Sequence, residues 1–204
     1  MRLELDAVSV GDAATPALPA LDAVLTDGAP TLVAVGTERG PLLASLVAGG
    51  RLRPDRGAVR LDGSADPAAI RRAVALVDTP MASEPPAAVP VGAIVREELR
   101  FAGRPASRAA VTDALDELGI GAWRRSPIGD LPPTDRIRLL TTLAAARPGI
   151  AALVLTAPER HGGLSADWLG VVRDRTEAGV PVLVIGGHAI DPLLRDTRTA
   201  GARA

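Results

Sequence analysis

An α/β fold around a parallel sheet is predicted by three observations. Short apolar runs alternate with helically patterned segments along the chain. Two of these runs, IAALVL at 150–155 and VPVLVI at 180–185, are continuous rather than alternating, as strands buried on both faces are. Gly and Pro punctuate the junctions between the runs.

Taken in order, RLELDAVSV (2–10) alternates like an edge or half-buried strand, and ALDAVLT (20–26) is placed beside it, ending at Asp27-Gly28. TLVAV (31–35) reads as a buried strand. Pro41 fits the first turn of a helix that continues through LLASLVAG. Arg53-Pro54-Asp55 breaks the chain, and GAVRLDG (57–63) is a strand with its turn. AVALV (73–77) is strand-like and TPMASEPPAAVP (79–90) a proline-rich loop. Helices follow at 91–102 and 106–118, the second carrying Val111, Leu115 and Leu118 on one face. A third starts around Pro133 and carries Ile137, Leu139, Leu140 and Leu143, and a helix near 165–178 separates the two continuous strands. No internal repeat is visible, and a short tail after Arg195 has a disordered composition.

With 204 residues, 47% of them hydrophobic, the chain can bury the core of one domain with one or two subdomains. A net charge of -1 argues against bulk attraction to nucleic acid. All 23 cationic side chains are Arg and none is Lys, which is read as coding bias, because arginines signify recognition only when they converge on one site. The absence of Cys excludes disulfides and thiolate chemistry. His161 and His188 are too far apart for a helical metal pair, so no metal site is expected. No charged-then-apolar leader is present, and no apolar run approaches the roughly 20 residues needed to cross a bilayer. A cytoplasmic protein is expected, held at a membrane only through a partner.

The strand at 31–35 runs into Gly36, where a phosphate-binding loop GxxxxGK[ST] would sit, its backbone N–H groups cradling phosphates, its Lys on the β/γ-phosphates and its Ser/Thr on Mg²⁺. Gly36 and Gly40 remain. Without gaps, Pro41, Leu42 and Leu43 take the Gly, Lys and Ser/Thr places; sliding the register onto the Leu-Leu pair shortens the loop and still supplies no lysine. Arg39 does not substitute, since Glu38 opposes an anion and Pro41 lacks an N–H.

The order of landmarks resembles the nucleotide-binding domain of ABC transporters from about residue 2 to residue 190. It rests on LELDAVSV, TLVAVG, LVAGGRLRPDRGAVRLDG, RRAVALV, VREELRFAG, LPPTDRIRLLTTLAAARP, AALVLTAPE, GGLSADW and GVPVLVIGGHA. The resemblance implies a P-loop NTPase-like ABC ATPase fold in a single domain, 1–204. An α/β core at about 1–78 and 146–190 would include an N-terminal antiparallel β subdomain; a helical subdomain would span about 79–145, with a tail at 191–204. It also locates the family's functional positions, nearly all replaced. No aromatic for adenine stands near Asp12-Ala13. The Q-loop glutamine falls near Thr79. The signature LSGGQ reads Leu131-Pro132-Pro133-Thr134-Asp135, losing two N–H donors and adding a charge. Thr156 and Ala157 replace the Walker B aspartate and the catalytic glutamate, and Ser165 replaces the D-loop aspartate. The switch histidine survives as His188, read as an ordinary satisfied side chain. Glu159 is read as a solvated loop charge, and Arg136 and Arg138 as a solvated helix face.

These replacements lead to an expected pseudo-ATPase with a structural or regulatory role in a membrane transport complex and no cofactor of its own. Its expected partners are a separate membrane-spanning permease and a homologous ATPase subunit, not nucleic acid. Two alternatives stay open: a subunit of a heteromeric ABC ATPase that binds ATP weakly, with Mg²⁺, while a partner hydrolyses, and a soluble non-enzymatic scaffold.

Overall fold

The computed structural model describes residues 1–190. The tail after Arg195 lies outside the described residues. Strands β1 (Arg2–Val10), β2 (Leu18–Thr26) and β4 (Arg56–Leu61) form an antiparallel sheet in the order β2-β1-β4. β1 therefore lies between two partners, half-buried but not an edge, because β4 returns to pair with its second side, Leu5 opposite Val59. A bulge between Leu5 and Val8 carries Ala7 at φ 47°. Opposite it, Gly57 (φ +76°) passes so close to the Asp6 and Ala7 carbonyls that any side chain there would collide with backbone.

Strands β3 (Thr31–Ala34), β5 (Val74–Val77), β6 (Ala152–Thr156) and β7 (Val182–Gly186) form a parallel sheet in the order β3-β7-β6-β5. The continuous runs make its two inner strands, as their composition requires. Successive side chains point to opposite faces and so join different cores. Leu76, Val154, Leu183 and Ile185 pack with α1 (Gly40–Ala48) and the inner face of the antiparallel sheet. Val77, Leu155, Val182 and Val184 pack with α5 (Pro133–Ala145), α6 (Ser165–Glu177) and the buried Trp168.

The same second core continues into α3 (Val91–Phe101) and α4 (Arg108–Glu117) through Val95, Leu99, Val111 and Leu115. Ser107 caps α4 by accepting from the Ala110 N–H at 3.2 Å. A fork of two bonds, Arg147 Nε and Nη2 to Glu98 at 2.8 and 2.6 Å, ties α3 to the turn after α5. One helix, α2 (Pro67–Ala73), escaped the sequence reading, although Asp66 as cap and Pro67 at the first position announce it; the Asp66 carboxylate accepts from Ala68 N–H at 2.8 Å.

Candidate functional site at the strand ends

The carboxyl ends of β3, β5, β6 and β7 are where an open α/β sheet presents its binding groups. After β3, Val35–Arg39 form a short tied turn. Thr37 Oγ1 donates to Ala17 O at 2.7 Å, and Gly40 N donates to Thr37 O at 2.9 Å. A side chain on Gly40 would strike Val35 and Thr37 Oγ1, and one on Gly36 would strike the His188 imidazole. The loop is thus packed on itself and roofed by His188, which follows β7. Pro41 then opens α1, with Leu42 and Leu43 half-buried behind it.

β6 ends in Thr156, 1% exposed. Its Oγ1 donates to Ser45 Oγ at 2.8 Å and lies 2.7 Å from Thr79 Oγ1. Thr156 has one proton and gives it to Ser45, so Thr79 is the donor in the second bond. Ser45 comes from α1, Thr156 from β6 and Thr79 from the residue pair following β5, and all three are buried. Ser45 was missed by the sequence reading. Its only signal is a lone hydroxyl in the apolar run LLASLVA.

Next to this chain lies a buried ion cluster the sequence reading also missed. Asp78, just past β5 with φ 53°, receives Arg136 Nη2 on Oδ1 at 2.7 Å and Arg136 Nε on Oδ2 at 2.9 Å. His161 Nε2 stands 2.7 Å from Oδ2 and Arg160 Nη2 3.3 Å from Oδ1. Arg160 also donates to the carbonyls of Thr156 and Asp78, both at 2.6 Å, and pairs with Glu84 at 3.1 Å. Burial alone pushes the Asp78 carboxyl upward and is the largest single effect. The hydrogen bonds from Arg136, the close approach of His161 Nε2 and the charges of Arg136 and Arg160 together outweigh it and hold the group well below the usual carboxylate range.

Arg136 is therefore not on a solvated helix face. At 4% exposure it is buried, because the first turn of α5 faces the end of β5. Arg138, partly exposed, pairs with Asp135 at 2.7 Å. Glu159 is not a solvated loop charge either: the turn after Ala157 (φ 45°) folds its Oε1 onto the Gly187 N–H at 2.6 Å, and its Oε2 is shielded from solvent.

Of the residues singled out from sequence, the structure joins Thr79 to Thr156 and brings Gly36 against His188. Leu131 is buried among the helices, Thr134 lies in the first turn of α5, and Ser165 begins α6 behind the exposed Leu164. Among the described residues, no hydrogen bond links these three to the hydroxyl chain.

The donor sets do not fit a nucleotide with its magnesium ion. A hard dication calls for oxygen ligands, carboxylates foremost, in open octahedral array; here the strand end offers the neutral Thr156 hydroxyl, already bonded to Ser45 and Thr79, in place of a carboxylate. Asp78, Glu84 and His161 each place a ligand atom within 4.8 Å of the others. Two guanidinium groups stand among them and already balance the two carboxylates. At the β3–α1 turn a phosphate would meet Arg39 exposed beside Glu38, no lysine, and no N–H at Pro41.

The fold is that of ABC transporter ATP-binding cassettes. A putative ABC transporter ATP-binding protein from Pyrococcus furiosus superposes with a TM-score of 0.67 at 14% identity, covering 92% of each chain. A nucleotide-free ATP-binding cassette gives 0.65 at 18% identity over 96% of this chain and 85% of that one. cbiO1 from Clostridium perfringens, part of the ABC transporter complex cbiONQ, gives 0.61 at 17% identity over 93% and 79%. No family model matches the sequence, and no curated protein matches it.

Proposed function

We propose that this chain is an ABC-type cassette subunit that has given up ATP hydrolysis and serves as a structural or regulatory part of a membrane transport complex. The observation that carries this is the hydroxyl chain Ser45–Thr156–Thr79 at the end of β6. Phosphoryl transfer depends on charge placed around the phosphates and metal. A closed set of neutral hydroxyls supplies none, and the self-packed turn at Gly36–Gly40 offers no cradle to offset the loss.

A likeness in fold to a transporter subunit supports the assignment of partners. cbiO1 is part of the ABC transporter complex cbiONQ, and no helix of the described residues is long and apolar enough to cross a membrane. We assign a separate membrane-spanning permease as partner, with a homologous ATPase subunit as a second, and a place on the inner face of the cell membrane. The helical layer at about 79–145 is the unit that would face the permease.

Calorimetry with Mg-ATP tests the dead-site half of the reading. No saturable heat is expected at physiological nucleotide concentrations, and binding in the range of tens of micromolar would overturn it. Affinity purification from membranes tests the other half, with a multi-span protein expected as the co-purifying chain.

A further inference from the structure

Four of the arginines converge. Arg51, Arg53, Arg56 and Arg71 line one cleft of about 660 Å³ between the turn after α1, strand β4 and helix α2. Its floor is apolar, with Val47 and Ile70 at the base. Asp55, the carboxylate of the lining, is engaged elsewhere: Oδ2 accepts from the Gly11 N–H at 2.7 Å. Two of the guanidinium groups are fixed in place by carbonyls at the end of α1. Arg51 Nη1 donates to Gly49 O at 2.6 Å and also to Val74 O at 3.2 Å, and Arg71 Nη1 donates to Gly50 O at 2.9 Å, so Nε and Nη2 of each remain to serve a ligand. Arg53 and Arg56 are exposed, and among the described residues neither has an ion-pair partner.

Such a grouping is self-repelling. The Arg51 guanidinium is held below its ordinary pKa, first by burial and then by the charges of Arg71 and Arg147. An anion in the cleft relieves that repulsion. The planar fork of Arg matches phosphate oxygens in pairs, and a cleft of this volume with an apolar base suits a ligand that has both a charged and an apolar part.

We propose that this cleft is a binding site for a phosphate group carried on an apolar body. Two sources share that chemistry, a soluble phosphate ester and the headgroup of an anionic phospholipid. The site lies apart from the strand-end hydroxyl chain, so it stands or falls independently of the reading above.

The test uses the full chain, an Arg53→Gln/Arg56→Gln variant and, as control, Arg173→Gln on the exposed side of α6. Both cleft side chains are exposed, so all three proteins should melt alike. Calorimetry with inorganic phosphate should saturate for the parent and the control and weaken at least about tenfold in the cleft variant. Sedimentation with phosphatidylglycerol and phosphatidylcholine vesicles separates the sources. Selective pelleting with phosphatidylglycerol, lost in the cleft variant alone, assigns a lipid headgroup; saturation by phosphate with no vesicle binding assigns a soluble ester. Absence of binding to either probe, or equal loss in the cleft and control variants, overturns the proposal.

Discussion

Two residues carry the most informative substitutions. Thr156 sits buried between the neutral hydroxyls of Ser45 and Thr79, which take up its own hydroxyl. Thr156→Asp places a carboxylate there, and thermal melts should show a loss of about 1–3 kcal/mol. Adding Leu42→Lys and Ala157→Glu should restore neither stabilisation by Mg-ATP nor phosphate release, since Pro41 and the self-packed turn are unchanged. A triple variant that melts with the parent and turns over would show a usable site. Asp78 is the second. Its carboxyl is depressed in the folded state, so the stability it contributes is fully present above the unfolded value of about 4 and drains away as pH falls below that towards the folded value. Asp78→Asn should flatten the acid limb of a stability–pH profile and, by leaving Arg136 buried and unpaired, cost about 3–5 kcal/mol at neutral pH. An unchanged acid limb would remove Asp78 from that role.

At the scale of elements, most of the architecture could be read from the chain because apolar period and breaker residues agree locally. The runs at 150–155 and 180–185 became the inner strands, and Pro41 and Pro133 opened α1 and α5. α2 was hidden because AVALV suggested a strand from residue 73, while the preceding AAIRR lacked an apolar stripe. The candidate site was legible only as a set of replaced positions. What fills it was not, since Ser45 and Thr156 are 111 residues apart and Asp78 and Arg136 are 58 apart. Polar side chains at such separations meet through tertiary folding alone, and an arginine three places beyond a helix start has no local signal that it faces a strand end. The first turn of α5 shows this best: Asp135 and Arg138 pair near the surface while Arg136, between them in sequence, turns inward.

For the whole molecule, the question is where a partner would rest. A cleft of about 370 Å³ runs beside the proline-rich loop, between Pro85, Pro86 and Val89 on one side and Ile94 and Phe101 on the other. Met81 at the loop's tip is 97% exposed and Phe101 is exposed, with Arg147 5.5 Å over its ring. Val91, the apolar residue that opens α3 after this loop, is fully buried in the helical core and is no part of this surface. Charge or Ala substitutions at Met81, Val89 and Phe101 should reduce recovery of the membrane complex in pull-downs by tenfold or more, on the order expected for apolar anchors. Full recovery with all three replaced would move the contact elsewhere.

The ion cluster also has a kinetic side. Arg160 reaches the Asp78 carbonyl across 82 residues of sequence, and Arg136 reaches its carboxylate across 58. These bonds close only after β5, β6 and α5 already lie together, and they lock the loop leading to Glu84 onto the finished sheet. As contacts of high sequence separation they are expected to close late, and Arg160→Gln should then speed unfolding while leaving the folding limb of a chevron unchanged; a slowed folding limb would place them in the nucleus instead. Persistence gained in this way rests on side chains of the fold itself and does not depend on any ligand.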